Sequence, residues 1–418
     1  MTQPSPTAGA APWYRGVTSG QRRALIAASL GWMLDAMDFM MYSMVLAYLM
    51  KDLAMTTSTA GLLASMGQLA AAAGGILFGT LADRVGRTRA LMGSIAVYSV
   101  FTAACGFSQT ITQLAVLRVL VGLGLGGEWA SGAALVSETW PARHRGKALA
   151  ITQSFWAVGY ALAAAVTAVV LPRWGWRAVF FVGAVPALLT LWIRRSVEEP
   201  AIWRERRHQP AQGSARPGVR ALFVGPYRKT TIALILMNAA ALFAYWGFNT
   251  WNPAFLSLPS DQGGIGLSAV TMSGFVIAMQ VGTWMGYVTF GFVSDHIGRK
   301  KTYVTYLLVA AALLPLYANL RSPTLLLVLG PLIGFFGTGF FAGFGAVVSE
   351  TFPTAIRATA LGVTYNLGRV VSAIAPFTVG SLAQSRGFGV GFAMLSLAFV
   401  AAALMWLFIP ETVGRELT

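Results

Sequence analysis

Residues 79–87 read Gly79-Thr80-Leu81-Ala82-Asp83-Arg84-Val85-Gly86-Arg87, and residues 291–299 read Gly291-Phe292-Val293-Ser294-Asp295-His296-Ile297-Gly298-Arg299. Ser137-Glu138-Thr139-Trp140-Pro141 recurs as Ser349-Glu350-Thr351-Phe352-Pro353. Gly291 lies as far beyond Gly79 as Ser349 lies beyond Ser137, so one offset relates both pairs. Two separate motifs that share one offset are poorly explained by chance. They read as an internal duplication, with two homologous halves in parallel.

What surrounds these motifs is apolar. Of 418 residues, 56% are hydrophobic and 11% charged, where a soluble domain carries about 25% charged residues. Twelve apolar runs follow one another, roughly 24–50, 59–82, 90–107, 111–137, 147–171, 177–195, 230–257, 268–294, 302–320, 324–349, 358–382 and 389–409. Runs of about 20 apolar residues are the length of a membrane-spanning helix. The expected fold is an all-α membrane protein of twelve transmembrane helices in two pseudo-symmetric six-helix bundles. The expected organisation is a cytoplasmic tail (1–23), a first bundle (24–195), a cytoplasmic central loop (196–229), a second bundle (230–410) and a cytoplasmic tail (411–418). The first run lacks the short core and cleavage site of a signal peptide.

The formal charge is +16, from 30 Lys and Arg against 14 acidic residues. With the amino terminus inside, 23 of the 30 fall on inner segments and 5 on outer ones: Lys51, Arg173, Arg177, Arg321 and Arg386. The positive-inside bias therefore places both termini in the cytoplasm and accounts for most of the charge without nucleic acid. The single Cys105 excludes an internal disulfide framework. His144, His208 and His296 show no metal-ligand spacing. No nucleophile–base pair, metal cluster or phosphate loop is evident, so no enzyme, no metal and no cofactor is expected.

Ionisable groups at mid-membrane cost at least about 2.5–3.5 kcal/mol on insertion scales and point to function. Five qualify: Asp35, Asp38, Arg118, Glu128 and Arg369. Asp35 and Asp38 are three apart, on one helix face near the bilayer centre. Two carboxylates so close in low dielectric do not both ionise readily, as proton coupling requires; the competing reading is permanent pairing with a basic group or a helix end. Arg369 lies in Tyr365-Asn366-Leu367-Gly368-Arg369 and presents a planar fork suited to a carboxylate. It can bind a substrate anion, hold a salt bridge to Asp35 or Asp38, or do each in turn. Arg118 and Glu128 face almost opposite directions on one helix and need different partners. Glu128 serves either coupling or a structural hydrogen bond. Neutral candidates for the substrate site are Tyr42, Trp156, Tyr160, Trp246, Asn249, Gln280, Tyr365 and Asn366. In the loop motifs, Asp83 and Asp295 can pair with Arg or a helix N-terminus and latch the cytoplasmic side, with Arg87 and Arg299. Glu138 and Glu350 are expected to pair with Arg145 and Arg357 or with the neighbouring loop motif, as gating groups.

The loop motif, its copy and Arg118-x-x-x-Gly122 resemble the marks of the major facilitator superfamily of secondary transporters, over essentially the whole chain. That resemblance implies alternating access around a site between the halves, a monomer, and a role for Arg118 in proton transfer or in shaping the cavity. Asp35-Ala36-Met37-Asp38-Phe39 and Gly124-Leu125-Gly126-Gly127-Glu128-Trp129, with Glu138-Thr139-Trp140-Pro141, are similar to the sialate and lactate proton symporters, and to the aromatic-acid and nicotinate symporters. This implies import of a small organic acid with a proton: a monocarboxylate such as lactate, a sialate-like acid or an aromatic carboxylate. Trp246-Gly247-Phe248-Asn249-Thr250-Trp251-Asn252-Pro253 departs from the seventh-span signature of fungal lactate permeases, which leaves lactate one option among organic acids. The second reading is a proton-antiport exporter of organic cations or drugs, held by the same carboxylates and Trp residues. Arg369 opposes it by repelling such cargo. A compact, bacterial-looking chain suggests the inner (cytoplasmic) membrane.

Overall fold

The computed structural model describes residues 17–199 and 219–413, and all regular structure among them is helical. The 1–16 tail, most of the central loop and the 414–418 tail, with Arg15 and Arg415, lie outside the described residues. The first half comprises α1 (Ser19–Asp52), α2 (Thr57–Val85), α3 (Arg87–Cys105), α4 (Ile111–Thr139), α5 (Ala142–Val182) and α6 (Ala187–Ser196). The second comprises α7 (Arg228–Ser257), α8 (Ala269–Ile297), α9 (Arg299–Asn319), α10 (Pro323–Thr338), α11 (Phe344–Thr351), α12 (Thr354–Ser372), α13 (Ala375–Arg386) and α14 (Phe388–Met405). The ends of the bundle are called basic, where α1 begins and the repeated motifs lie, and far, where α1 ends.

Ten segments among the described residues are long and apolar enough to cross a membrane. Twelve apolar runs give ten such segments because runs five and six merge into one and run eleven is broken into two short helices; run ten is also interrupted. Runs five and six are nearly continuous, Lys147–Ile193, and reverse only at Gly175, where φ is 75° and a side chain would strain the backbone. Run ten breaks into α10, a 3-10 turn (Gly339–Gly343) and α11. Run eleven breaks between α12 and α13, where Pro376 has no N–H to continue the helix.

Small residues bring backbones together, and they do so twice. A Cβ on Gly122 would strike the Gly67 carbonyl, and one on Gly334 the Met279 carbonyl. Gly74 lies against Leu123 as Gly286 lies against Phe335. Every member of the second set follows its counterpart by the offset that relates Gly291 to Gly79. The duplication read from two loop motifs thus extends to the helix seams α2–α4 and α8–α10, where close approach supplies the packing that lipid does not drive.

The halves are joined at the far end. Thr57 Oγ1 donates to the Gly380 carbonyl at 2.8 Å, and the Ser58 and Ser381 hydroxyls are 3.0 Å apart. The Ser58 N–H donates to Gln384 at 3.2 Å, and the Phe377 N–H to Ser65 Oγ at 3.1 Å. Gly61 seats against Pro376. These contacts tie α2 to α13. Among the described residues, no ion pair at the basic end crosses between halves.

Candidate functional site

The middle of α1 carries the site. The helix packs against α5 and α4 of its own half, and more lightly α3, and against α7 of the second half. Asp35 is 3% exposed, Asp38 0%, Arg118 1% and Glu128 1%. Four ionisable side chains are therefore in one dry region, where charge has to be matched closely.

Their partners differ. Asp35 faces Arg369 across the boundary between halves and Glu128 within its own half. Asp38, one turn further along, faces Arg118, Thr102 and Tyr98 inside the first half. The Arg118 guanidinium lies 4.6 Å from the Tyr42 ring centroid and 5.9 Å from that of Phe39, a cation–π arrangement. It passes beside Gly67. Glu128 occupies the hollow left by Gly31: a Cβ there would collide with the carboxylate. Both Glu128 oxygens, both Asp38 oxygens and Oδ1 of Asp35 have no hydrogen-bond donor among the described residues. Arg118 thus lies over Tyr42 and Glu128 against Gly31.

Arg369 sits in the last turn of α12, just before the break in run eleven. A cation there is favoured by the C-terminal end of the helix dipole. Interrupted helices at mid-depth expose polar backbone where a ligand can use it. Arg369 is only half-buried, shares its face with Tyr365, Gly362 and Asn366, and forms no ion pair with any described carboxylate. Asp35 is the carboxylate whose electrostatics it influences. The fixed salt bridge weighed from sequence is absent here.

Aromatic rings wall this region. Trp32 and Trp156 are 4.8 Å apart between centroids, Phe39 and Trp246 4.7 Å, and Trp156 and Trp246 5.9 Å edge to face. Trp156 Nε1 donates to the Tyr245 hydroxyl at 2.6 Å. The wall draws on α1, α5 and α7, so it straddles both halves beside Asp35.

The remaining candidates divide. Tyr42, a sequence candidate for the substrate site, donates its hydroxyl to the Ala60 carbonyl at 2.8 Å instead, and its ring supports Arg118. Tyr160 donates to the Asn249 carbonyl at 3.1 Å, and Asn249 Nδ2 to the Tyr245 carbonyl at 3.0 Å. The first bond joins the halves; the second is a turn of α7. Gln280 Nε2 is buried without an acceptor among the described residues. Asn366 folds back onto the Gly362 carbonyl at 2.9 Å and is exposed. Tyr245 and Asn249 also border a void of about 10 Å³ within the second half. It has room for about one water and cannot hold an organic acid.

The repeated motifs form two matching brackets at the basic end. Arg87 pairs with Asp83 at 2.6 Å and with Glu138 at 2.9 Å. Arg299 pairs with Asp295 at 2.6 Å and with Glu350 at 3.0 Å. Glu138 and Glu350 thus pair with the loop motif. The side chain of Arg145 lies outside the described residues, and Arg357 Nε donates to the Ser349 and Phe352 carbonyls. The N-termini of the next helices are taken by carboxylates that the sequence reading missed. Glu199 accepts from the Thr88 and Arg89 N–H groups at 3.2 and 3.1 Å, and Glu411 from those of Arg299 and Lys300 at 2.9 and 3.1 Å. Glu199 and Glu411 stand at the same offset as the loop motifs, the signal that could have found them.

Partial burial pushes the Glu411 carboxyl up, but the N–H groups of Val413, Lys300, Thr412 and Arg299 hold it below the usual glutamate value. A lowered folded-state value stabilises above the unfolded value, near 4.3, and that contribution is lost as pH falls through the folded one. Glu411→Gln is expected to lower the unfolding temperature in detergent at pH 7, at a cost of about 1 kcal/mol typical of a lost helix cap. The difference from the parent should shrink as pH drops below about 4; a difference independent of pH would deny the carboxylate this role.

Comparison with known proteins agrees with this architecture. The family model described as Major Facilitator Superfamily matches residues 28–288 and 257–417. The chain belongs to the Major Facilitator Superfamily. A putative metabolite transport protein of Haemophilus influenzae is 35% identical over 94% of this chain and 97% of its own length. The cis,cis-muconate transport protein of Acinetobacter baylyi is 33% identical, covering 93% and 94%. The sialic acid transporter NanX of Escherichia coli is 33% identical, covering 95% and 96%. The partially occluded inward-open xylose transporter XylE of E. coli superposes with a TM-score of 0.77 at 19% identity, over 96% and 100% of the two chains. That likeness concerns the fold. The protein is accordingly a multi-pass membrane transporter and not an enzyme.

In this member of the superfamily, the site lies where the duplication breaks down. At the shared offset, the counterparts of Asp35, Asp38, Arg118 and Glu128 are Gly247, Thr250, Gly330 and Phe340, and that of Arg369 is Ala157. The scaffold is symmetric, whereas the ionisable chemistry is not: carboxylates come from the first half and the free guanidinium from the second.

Proposed function

We propose that the protein imports a small organic acid together with a proton, by alternating access. The observation that carries this reading is Arg369, a half-buried guanidinium at mid-depth, facing Asp35 across the boundary between halves. A substrate carboxylate competes with Asp35 for that guanidinium. Protonation of Asp35 removes the competitor, and the substrate then completes charge pairing at Arg369. With both charges met, the halves can rock, and the far-end contacts of α2 and α13 exchange with contacts at the basic end. Asp38, Glu128 and Arg118 set the field around Asp35. The loop brackets at Asp83, Arg87 and Glu138, and at Asp295, Arg299 and Glu350, keep each half rigid during the movement and gate the basic end.

The Trp32–Trp156–Trp246 wall favours a planar substrate, since flat π-systems stack or meet edge to face on such rings. The muconate and sialic acid relatives both support an organic acid as the cargo. The positive-inside bias supports cytoplasmic termini in a bacterial inner membrane, and the family pattern supports a monomer.

Proteoliposomes offered benzoate, nicotinate, gentisate, lactate or sialate in turn test the reading. Expected is acid-dependent entry of protons with at least one acid, strongest for the aromatic ones. Proton efflux on adding tetraphenylphosphonium, with no response to any acid, would establish cation export in its place.

A further inference from the structure

The charges of the site are not duplicated, but a buried amide is. Gln68 on α2 and Gln280 on α8 stand at the shared offset. Gln68 is 2% exposed and Gln280 3%. Neither amide atom of Gln68, nor Nε2 of Gln280, has a hydrogen-bond partner among the described residues. A buried amide left unpaired costs stability, so each needs an explanation.

What Gln68 faces follows from the register of α2 against α13. Thr57 Oγ1 reaches the Gly380 carbonyl, Gly61 seats against Pro376, and the Ser65 hydroxyl receives the Phe377 N–H, so the two helices run antiparallel. Gln68 follows Gly61 by seven residues, about two helical turns, and stays on the same row. The register therefore sets it opposite 369–373, the last turn of α12 and the break that follows. α2 and α12 do touch. Further along the row, Ala72, Gly75 and Gly79 are partly exposed, so Gln68 stands where the halves begin to part.

The break supplies acceptors. Pro376 has no N–H to give the Ser372 carbonyl. The Phe377 N–H, which would serve the Ala373 carbonyl in a continuous helix, is diverted to Ser65 Oγ at 3.1 Å. Two carbonyls thus lack their helical donors, one turn beyond Arg369 and across from an amide without partners. By the same symmetry Gln280 is turned to α5, which is helical at the corresponding positions and frees no such carbonyls.

Resting on the organic-acid reading above, we propose that Gln68 is a specificity-determining residue and that the cargo is a hydroxy acid: its carboxylate lies at Arg369, while a hydroxyl remote from it donates to the freed carbonyls at 372–373 and accepts from Gln68 Nε2. A hydroxyl meets a donor and an acceptor at once, which a second carboxylate does not. An acid without the hydroxyl buries similar surface but leaves these groups unpaired, and the site rejects it on that ground.

The test offers radiolabelled benzoate, 3-hydroxybenzoate and 4-hydroxybenzoate to the full-length protein in proteoliposomes under a pH gradient, with Gln68→Met beside the parent. Methionine keeps the unbranched shape and drops the amide. Since that amide has no partner to lose, the unfolding temperature in detergent should hold or rise. Expected in the parent is a KM for one hydroxybenzoate roughly 10- to 100-fold below that for benzoate. In Gln68→Met the two should come within about threefold, through weaker binding of the hydroxy acid at an unchanged benzoate KM. Benzoate uptake with no preference for either hydroxy acid overturns the hydroxyl site and leaves organic-acid uptake standing. A preference that survives Gln68→Met does the same. An equal loss of all three acids overturns the assignment too, and a lowered unfolding temperature would then identify Gln68 as a packing group between the halves. No uptake of any acid, in this panel or the earlier one, removes the organic-acid reading and this inference with it.

Discussion

Arg369→Met abolishes uptake of the organic acid, and Arg369→Lys raises its KM roughly 10- to 100-fold: these are the expected results at the substrate site. The difference between them follows from geometry. Lysine keeps the charge but not the planar two-pronged fork, and charged hydrogen bonds contribute about 1.5–3 kcal/mol each. Methionine leaves Asp35, 3% exposed, without its cation. The carboxyl can then take a proton, which leaves no cation to receive the substrate's carboxylate. Counterflow of radiolabelled acid in proteoliposomes measures both variants. Wild-type KM in Arg369→Lys would show that the guanidinium does not touch the substrate.

Asp35→Asn should uncouple the two fluxes. Asparagine mimics the protonated acid, so Arg369 is permanently available to the anion. The loaded carrier remains neutral and crosses, and equilibrium exchange continues at a rate within about tenfold of the parent. The empty carrier now returns with Arg369 unmatched, a charged step that is costly in hydrocarbon. Proton-driven accumulation should therefore disappear while exchange persists. Asp38→Asn should behave differently. It deprives Arg118 of a carboxylate neighbour inside the first half. Its main effect should be a lower yield and a lower unfolding temperature. Acid-driven accumulation that survives in Asp35→Asn and is lost in a well-folded Asp38→Asn would exchange the two roles.

Much of this site was legible in one dimension. An ionisable residue inside an apolar run is conspicuous because hydrocarbon offers it no solvent, and Asp35, Asp38, Arg118, Glu128 and Arg369 all stand out for that reason. Spacing also showed that Arg118 and Glu128 point apart. The division between Asp35 and Asp38 was not legible. They share a helix face, and only the tertiary structure sets one toward Arg369 of the second half and the other toward Arg118 and Tyr98 of the first. Tyr42 illustrates the same limit. A tyrosine in a span needs a partner, but whether that is a ligand or the Ala60 carbonyl depends on how close α2 lies. Glu199 and Glu411 were missed because each stands beside polar chain ends, where a carboxylate attracts no notice. Their common offset marked them, and the helix N-termini explained them.

The sequence by itself determined the membrane environment and the duplication. These depend on run length, composition and periodic recurrence, quantities that exist along the chain. It also determined which side chains would be energetically conspicuous. Only the tertiary structure decided who faces whom: Arg369 opposite Asp35, Glu128 in the hollow of Gly31, Arg118 on Tyr42, and a seam of hydroxyls joining α2 to α13. Pairing between helices distant in sequence depends on the helix rotations and close approaches that glycines such as Gly74 and Gly122 permit, and no local pattern encodes the outcome of that packing.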